Sequence, residues 1–198
     1  GQTVPAGKYG LFFVINQDDS GEAILSKEYR SWGSFFYDPA NDQLRTKIQL
    51  RNIPHTELLT YDFINLSKNG SELVLNGEKK QFPLAIEFAV DEIVMANAEQ
   101  ELKGPTGFGW QGPSSAATYA LQNKINTEKA LVWADKALAQ NKNFNTLNTK
   151  AGLLRQANQT AEAEKMREAA IAVATEAELN AHGYQLIGEN RFDEAIKI

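Results

Sequence analysis

The chain has 198 residues, of which 42% are hydrophobic, and it carries a formal net charge of −5 at pH 7. This length suits one large domain or two small ones, and the apolar fraction is enough to fill their cores. Residues 1–104 contain 10 Lys and Arg against 15 Asp and Glu, and residues 105–198 contain 10 against 10. Because nucleic-acid binding needs many cations to neutralise phosphates, this balance predicts no nucleic-acid partner.

The composition also excludes several kinds of chemistry and membrane attachment. The chain has no cysteine, which excludes disulfides, thiolate metal sites and cysteine nucleophiles. It has no apolar run of about 18 residues, so we expect no membrane span. No segment resembles a signal peptide, and the start at Gly1-Gln2-Thr3 is typical of a processed chain.

The first half of the chain has the pattern of β-strands. Between Lys8 and Val90, apolar runs are interrupted by turn residues at intervals of roughly 8–12 positions. In residues 46–50 and 84–88 every second residue is polar, which predicts one wet and one buried face and therefore an antiparallel sheet. We expect the sheet to close as a sandwich or an open barrel. The predicted strands are Tyr9–Asn16, Glu22–Lys27, Ser34–Tyr37, Gln43–Leu50, Leu58–Leu66, Ser71–Asn76 and Gln81–Val90.

Two Asn-Gly pairs predict how the later strands connect. Asn69-Gly70 and Asn76-Gly77 are typical of tight hairpin turns, which require positive φ. They predict a meander of three consecutive strands.

The hydrophobic period changes to that of a helix near residue 91. Residues 91–103 predict a short helix, and the Gly104-Pro105-Thr106-Gly107 segment ends it. After Pro113 the chain is rich in alanine and free of proline, which favours helices. We therefore predict an α+β protein with a β domain at 1–104, a linker at 105–112 and a helical domain at 113–198. The boundary is expected between Glu101 and Pro113.

The helical part repeats itself. Ala130, Ala163 and Ala195 occupy similar segments spaced 33 and 32 residues apart, close to the tetratricopeptide period of about 34. Small residues also recur at fixed distances from these alanines, as expected where two helices cross closely. The further small positions are Thr118, Ala137, Ala151, Ala170 and Gly183.

The third helical hairpin ends at Ile198, within its second helix, and this leaves an apolar end face. We expect Phe192 and Ile196 to contact a second subunit, as in a homodimer, or the β domain.

Three N-terminal segments carry a family resemblance: Val4–Phe12, Trp32–Asp38 and Leu44-Arg45. They resemble the exported bacterial proteins grouped as the domain of unknown function 2911 family, some of which also have helical repeats behind the sheet. Family members usually have a further β segment before the Pro-Ala-Gly motif, and its Ser-Arg-Pro and Trp-Arg-Thr-Gly-Ala-Asn stretches do not occur here. The resemblance implies a truncated domain and an exported, periplasmic or secreted location, and it implies no known activity or catalytic residues.

The sequence offers no recognisable catalytic or cofactor site. His55 and His182 fall in different predicted domains, and neither has acids at metal-ligand spacing. Nucleophile elbows and phosphate-binding loops are absent. We therefore expect no metal, no cofactor and no catalytic residues.

The strongest concentration of aromatic residues is Trp32, Phe35, Phe36 and Tyr37. Their rings either pack in a core or between domains, or they form a platform for a sugar or peptide, with Trp32 and Phe36 as the candidate ligand contacts.

Counting by the repeat, one face of each first helix predicts a groove with hydrogen-bonding side chains that suit a peptide backbone. The alternative is that these are only solvated helix faces. The groove positions are Ser115, Tyr119, Gln122, Asn145, Asn148, Gly152, Arg155, Asn180, Tyr184 and Ile187. The candidate ligand contacts among them are Tyr119, Asn145, Asn148, Arg155, Asn180 and Tyr184.

These patterns favour a non-catalytic, exported interaction or scaffolding protein that binds a peptide or protein through its helices. Two alternatives remain open. One is an envelope hydrolase or carbohydrate-binding protein that uses the aromatic cluster, and the other is a chain whose helices serve only to dimerise it.

Overall fold

The computed structural model describes residues 1–198 as an α+β protein in which antiparallel sheets precede a series of helices, as predicted. The chain divides into two compact units, Gly1–Ala89 and Val90–Ile198. The strands are β1 Gly10–Ile15, β2 Ser20–Ser26, β3 Asp42–Gln49, β4 Arg51–Ile64 and β5 Gly70–Glu87. The helices are α1 Val90–Glu101, α2 Gln111–Asn123, α3 Thr127–Gln140, α4 Phe144–Gln156, α5 Thr160–Val173, α6 Glu176–Gly188 and α7 Phe192–Ala195.

Strands β1, β2 and β3 form an antiparallel sheet in that order. In the central strand β2 the adjacent residues Ala23 and Ile24 are both buried, although their side chains point to opposite faces of the sheet. The turn between β1 and β2 places Asp19 at φ 63°, and the Ser20 hydroxyl donates to Asp18 Oδ1 at 2.6 Å. Local sequence therefore specifies this sheet well, because both its strands and its first turn follow from neighbouring residues.

Strands β4 and β5 form a separate two-stranded sheet in which Thr60 pairs with Asn76 and Ile64 with Glu72. The predicted turn near Asn69-Gly70 is present, and it is closed by a bond from Ser67 N to Gly70 O of 2.8 Å. The chain also reverses at the second predicted turn, beside Asn76-Gly77. Phe88 N donates to Asn69 O at 2.6 Å, and a Cβ atom built on Gly70 would lie 2.4 Å from Ile86 O, so the two ends of β5 lie side by side.

The reversal lies inside β5, between Asn76 and Gln81, and the Gln81 side-chain amide donates to Asn76 Oδ1 at 2.9 Å across it. The pairing of β4 with β5 is irregular at the same place. The register shifts between Asn52 and Thr56 and again between Thr56 and Thr60. Glu78 takes up the positive φ of 52°. Strand β4, the first half of β5 and the second half of β5 therefore follow one another as the predicted meander of three strands.

The two sheets meet through aromatic and polar contacts. The rings of Phe13 in β1 and Phe82 in β5 lie 5.6 Å apart. Lys80 Nζ in β5 lies 2.6 Å from Oδ1 of Asp19, in the turn between β1 and β2. The core of this unit lies around these contacts, with Val74, Phe82 and Leu84 buried.

The strand predicted at Ser34–Tyr37 is absent. The segment is a turn in which Tyr37 N donates to Ser34 O at 3.2 Å, after Gly33 at φ 61°. Asp38 then caps a short 3₁₀ helix at Pro39–Asn41 by accepting from Ala40 N. Turn formation and capping occupy backbone groups that a strand would have to pair with a neighbour, so the local pattern of large residues does not decide the structure.

The helices pack as antiparallel pairs, α2 with α3 and α4 with α5, and the α6–α7 pair follows them. The buried cluster of the first pair includes Ala117, Ala130, Trp133 and Leu153. Ala130, Ala137, Ala163 and Ala170 are all buried, which confirms the prediction for these four positions. A residue with a larger side chain would hold the helices apart at such crossings.

The turns of the helical unit show a regularity that our sequence analysis did not use. Asn126, Asn158 and Asn190 all adopt left-handed conformations, with φ of 46°, 61° and 59°. They are spaced 32 residues apart, and asparagine tolerates this conformation better than most residues. Recurrent asparagine is thus a second mark of the repeat.

The structure places the unit boundary earlier than we predicted. It lies between Ala89 and Val90, and not between Glu101 and Pro113, because Met95 of α1 is buried in the same cluster as Ala117. The predicted linker at 105–112 is folded as well. It contains a 3₁₀ turn at Pro105–Gly107, and a Cβ atom at Gly107 would lie only 2.0 Å from Leu102 O.

Candidate functional site

The predicted groove does not run openly along all three first helices, and α2 shows why. The Tyr119 hydroxyl donates to Asp91 Oδ1 at 2.7 Å, which ties α2 to α1. This hydrogen bond is the main cause that raises the pKa of Tyr119, and burial raises it further. Leu121 also covers Gly152, where an added Cβ atom would lie 2.8 Å from the leucine side chain. Contacts within the unit therefore occupy Tyr119 and cover Gly152, whereas the other α2 positions of the predicted groove, Ser115 and Gln122, are exposed.

Arg155 in α4 is also committed to contacts within the unit. Its guanidinium lies 2.9 Å from Glu194 Oε2 and 3.1 Å from Glu164 Oε1, so it joins α4 to both α7 and α5. The hydrogen bond from Arg191, opposed by burial and reinforced by the charge of Arg155, lowers the pKa of Glu194 to about 2. Arg155 has a positioning role in this arrangement.

Asn145 and Asn148 lie one turn apart on α4. Asn145 is exposed and Asn148 is half-buried, and no hydrogen bond of the unit uses either amide group. Both amides are therefore available to a ligand at this face.

Asn180 and Tyr184 lie one turn apart on α6 and line an open depression of about 1030 Å³ between α6 and α7. Tyr184 is 70% exposed, and the Asn180 amide makes no hydrogen bond within the chain. The depression combines these polar groups with an apolar lining. The apolar residues are Ala177, Leu179, Gly183, Ile187, Ala195 and Ile198.

The repeat explains why this face is open. Ala151 in α4 and Ala163 in α5 are buried, whereas Gly183 and Ala195, each 32 residues later, line the depression. A Cβ atom built on Gly183 would meet nothing within 4 Å.

In the preceding hairpin the same face receives α6. The ring of His182 lies edge-on to Phe144, with centroids 5.4 Å apart, and Leu179 packs against the cluster of Phe144 and Leu147. The α6–α7 face thus has the composition and position of a surface that accepts a helix. The sequence analysis identified Asn180, Tyr184 and Ile187 but missed Leu179, Gly183 and Ala195 as members of one depression.

Neither histidine has the surroundings of a metal ligand. His182 is half-buried, and desolvation is the main cause that lowers its pKa. His55 Nε2 lies 3.4 Å from Glu78 Oε2 and 3.7 Å from Glu57 Oε2, on exposed side chains. No group of three or more His, Asp or Glu residues is arranged to hold a metal ion.

The aromatic cluster divides into an inner and an outer part. Trp32, Phe35 and Phe36 are 79%, 83% and 72% exposed, and the Trp32 and Phe35 rings stack with centroids 5.8 Å apart. Tyr37 turns inward against Phe12, with centroids 5.2 Å apart. The loop therefore presents three rings outward within its unit.

The polar groups beneath this loop are bonded to one another. The Tyr37 hydroxyl donates to both oxygens of Asp42, at 2.8 and 2.9 Å. The Arg45 guanidinium donates hydrogen bonds to Tyr37, Asp42 and Glu22. Burial, followed by the hydrogen bond to Asp42, raises the pKa of Tyr37. These contacts hold the base of the loop in place. They also occupy the Asp42 carboxylate with hydrogen bonds to Tyr37 and Arg45.

None of the helices combines the length and apolar character that crossing a membrane requires. No curated protein and no solved structure matches the chain. Residues 1–86 match the family described as a protein of unknown function (DUF2911). The match covers β1 to β4 and nearly all of β5, and it includes the Val4–Phe12 and Trp32–Asp38 segments that carried the resemblance. The β unit of this chain therefore matches the DUF2911 family model, and a helical unit follows it.

Proposed function

We propose that this chain is a non-catalytic interaction protein whose helical unit binds a segment of a peptide or protein partner. The observation that supports this proposal is the α6–α7 depression, where Asn180 and Tyr184 are free to bond a ligand beside an apolar lining. Peptide-binding helical grooves combine these two features, because apolar contacts supply affinity and polar groups fix the backbone.

The ligand that best fits this face is an amphipathic helix. The equivalent face of the preceding hairpin receives α6, which contributes Leu179 and His182. A partner helix with apolar residues at i, i+3, i+4 and i+7 would place one narrow stripe on Gly183 and Ile187 in the same manner. Glu176 also lines the depression and forms no ion pair, so a basic residue beside the apolar stripe would be favourable.

The repeat type and the cellular location belong to the same proposal. The 33- and 32-residue spacing and the buried alanines at the crossings support a tetratricopeptide-like array. The resemblance to exported proteins supports a periplasmic or secreted site of action.

A helical-peptide display library selected against the full chain would test the binding proposal. Ile187→Asp places a charge in the apolar lining and should reduce the affinity of the selected peptides at least tenfold. Val132→Asp is the matched control, because Val132 is an exposed aliphatic residue on α3, outside the depression. Selected peptides that bind both variants equally would show that the site lies elsewhere.

The aromatic loop supports a second candidate function, binding of a carbohydrate. Trp32, Phe35 and Phe36 are large exposed rings of the kind that stack on sugar faces. A hydrolytic role would require a free acid, and Asp42 beneath the loop is bonded to Tyr37 and Arg45. A glycan array probed with the parent chain and with Trp32→Ala tests this function, and identical profiles would exclude the loop.

A third candidate role is dimerisation through the end of the helical unit. Phe192 and Ile196 are exposed within the chain, as this role requires. Changing both residues to Lys should shift a dimer formed here to monomer in analytical ultracentrifugation. An unchanged sedimentation profile would exclude this end face.

A further inference from the structure

The outer half of β4 is an exposed apolar strand. Leu58 and Leu59 are 75% and 74% exposed, and Tyr61 and Phe63 are also exposed. Successive side chains of a strand point to opposite faces, so apolar groups are exposed on both faces of the hairpin. Such a strand is not covered by the β unit itself.

One edge of β4 has no neighbouring strand, because β4 pairs only with β5. One of its outward backbone groups is instead bonded by a nearby side chain. The Phe63 amide donates to Asp62 Oδ1 at 2.8 Å. This short-range bond replaces a strand partner only weakly, so the edge remains competent to pair.

This edge also lacks the usual protection against pairing. Exposed edges are commonly blunted by Lys, Pro or inward-pointing charges. From Leu58 to Ile64 the only charged residue is Asp62, and the segment contains neither Lys nor Pro. The inner half of β4 differs, since it contains Pro54 and Glu57.

We propose that a second copy of this chain pairs with this edge, in an antiparallel arrangement about a two-fold axis at Tyr61. Alternate residues of an antiparallel strand direct their N–H and C=O groups to the same side. Since the Phe63 amide faces away from β5, the Tyr61 backbone faces the same way. Two Tyr61 residues then exchange both backbone hydrogen bonds across the axis.

Charge selects this register among the neighbouring ones. With the axis at Tyr61, Asp62 lies opposite Thr60 of the other copy and Leu59 opposite Phe63. An axis at Asp62 would oppose two carboxylates, which destabilises a strand pair. An axis at Thr60 would place Glu57 opposite Phe63 and cover a charge with an apolar ring.

The size of the surface predicts a dimer that dissociates on dilution. The exposed parts of Leu58, Leu59, Tyr61, Phe63 and Leu66 amount to roughly 600 Å² per copy, on the scale of about 150–250 Å² for a whole aromatic side chain. Specific interfaces bury about 800 Å² per partner on average. The contact therefore falls at the small end of the range, and sedimentation should depend on concentration.

Single-cysteine variants test the register directly, because the parent chain has no cysteine. Tyr61→Cys places two thiols at the axis with Cα atoms about 5.5 Å apart, within disulfide range. Glu57→Cys on the same strand is the matched control. Its two copies would lie about 26 Å apart, eight residues along the strand, which is too far for a disulfide.

We expect a concentration-dependent dimer in analytical ultracentrifugation, which Tyr61→Lys converts to monomer. We also expect mild oxidation to cross-link most of the Tyr61→Cys protein and little of the Glu57→Cys protein. A parent chain that is monomeric at every concentration would overturn the proposal, as would equal cross-linking of the two cysteine variants. A dimer that survives Tyr61→Lys and is lost with Ile196→Lys would assign the contact to the helical unit instead. If circular dichroism shows that Tyr61→Lys does not fold, the cysteine pair decides the question alone.

Discussion

Ala163 offers a sharp test of how the helical pairs pack. It is 0% exposed in α5, and α5 packs along α4. Replacing it with leucine adds three carbon atoms at a crossing that leaves no room for them. Either the helices move apart or neighbouring side chains leave their preferred rotamers.

The expected cost of Ala163→Leu is about 1–3 kcal/mol in the free energy of unfolding, the usual range for overpacking a close-packed core. Ala161→Leu is a matched control on the same helix, because Ala161 is exposed. There the change should cost only a few tenths of a kcal/mol, the difference in helix propensity between the two residues. The burial of position 163 therefore accounts for nearly all of the expected difference in unfolding free energy between the two variants.

Urea unfolding followed by far-ultraviolet circular dichroism measures both variants. The helical unit has 109 residues, from Val90 to Ile198, so each kcal/mol corresponds to about 4–8 °C in a parallel thermal melt. If Ala163→Leu and Ala161→Leu unfold at the same urea concentration, α4 and α5 do not cross closely at this position. The assignment of the alanine to a repeat crossing would then fail there.

Three further predictions follow from individual contacts. Acidification should loosen α7 because the pKa of Glu194 is lowered from 4.5 to about 2. Its contribution to stability is complete above pH 4.5 and is lost as the pH falls through about 2, which hydrogen exchange of the α7 amides would detect. Thr146→Val should cost about 1–2 kcal/mol in urea unfolding, because the buried hydroxyl donates to Asn141 O at 2.8 Å and accepts from Asn143 N at 3.1 Å, and valine makes neither bond. An unchanged midpoint would contradict this. Trp32→Ala should change the unfolding free energy by less than about 0.5 kcal/mol because the ring is exposed, whereas a loss of several kcal/mol would place it in a core.

The local sequence pattern of the β unit predicts some of its strands correctly and one of them wrongly. Strand β3 follows from the alternation of residues 46–50, and β1 and β2 follow from short apolar runs bounded by turn residues. Ser34–Tyr37 has the aromatic composition of a strand, yet it forms a turn after Gly33 at φ 61°, in which Tyr37 N donates to Ser34 O. Large side chains do not separate a strand from a turn here, because the backbone is fixed by this bond and by the cap at Asp38.

In the candidate site, too, some features follow from the sequence and others depend on tertiary contacts. The repeat spacing alone identified the buried alanines and the polar positions on α4 and α6, because a helical repeat fixes which face each residue occupies. It did not show that Tyr119 and Arg155 are already bonded. Their partners Asp91 and Glu194 lie 28 and 39 residues away in the sequence. Which positions stay open to a ligand is thus decided by long-range contacts, since a side chain is free only if no distant group in the fold reaches it.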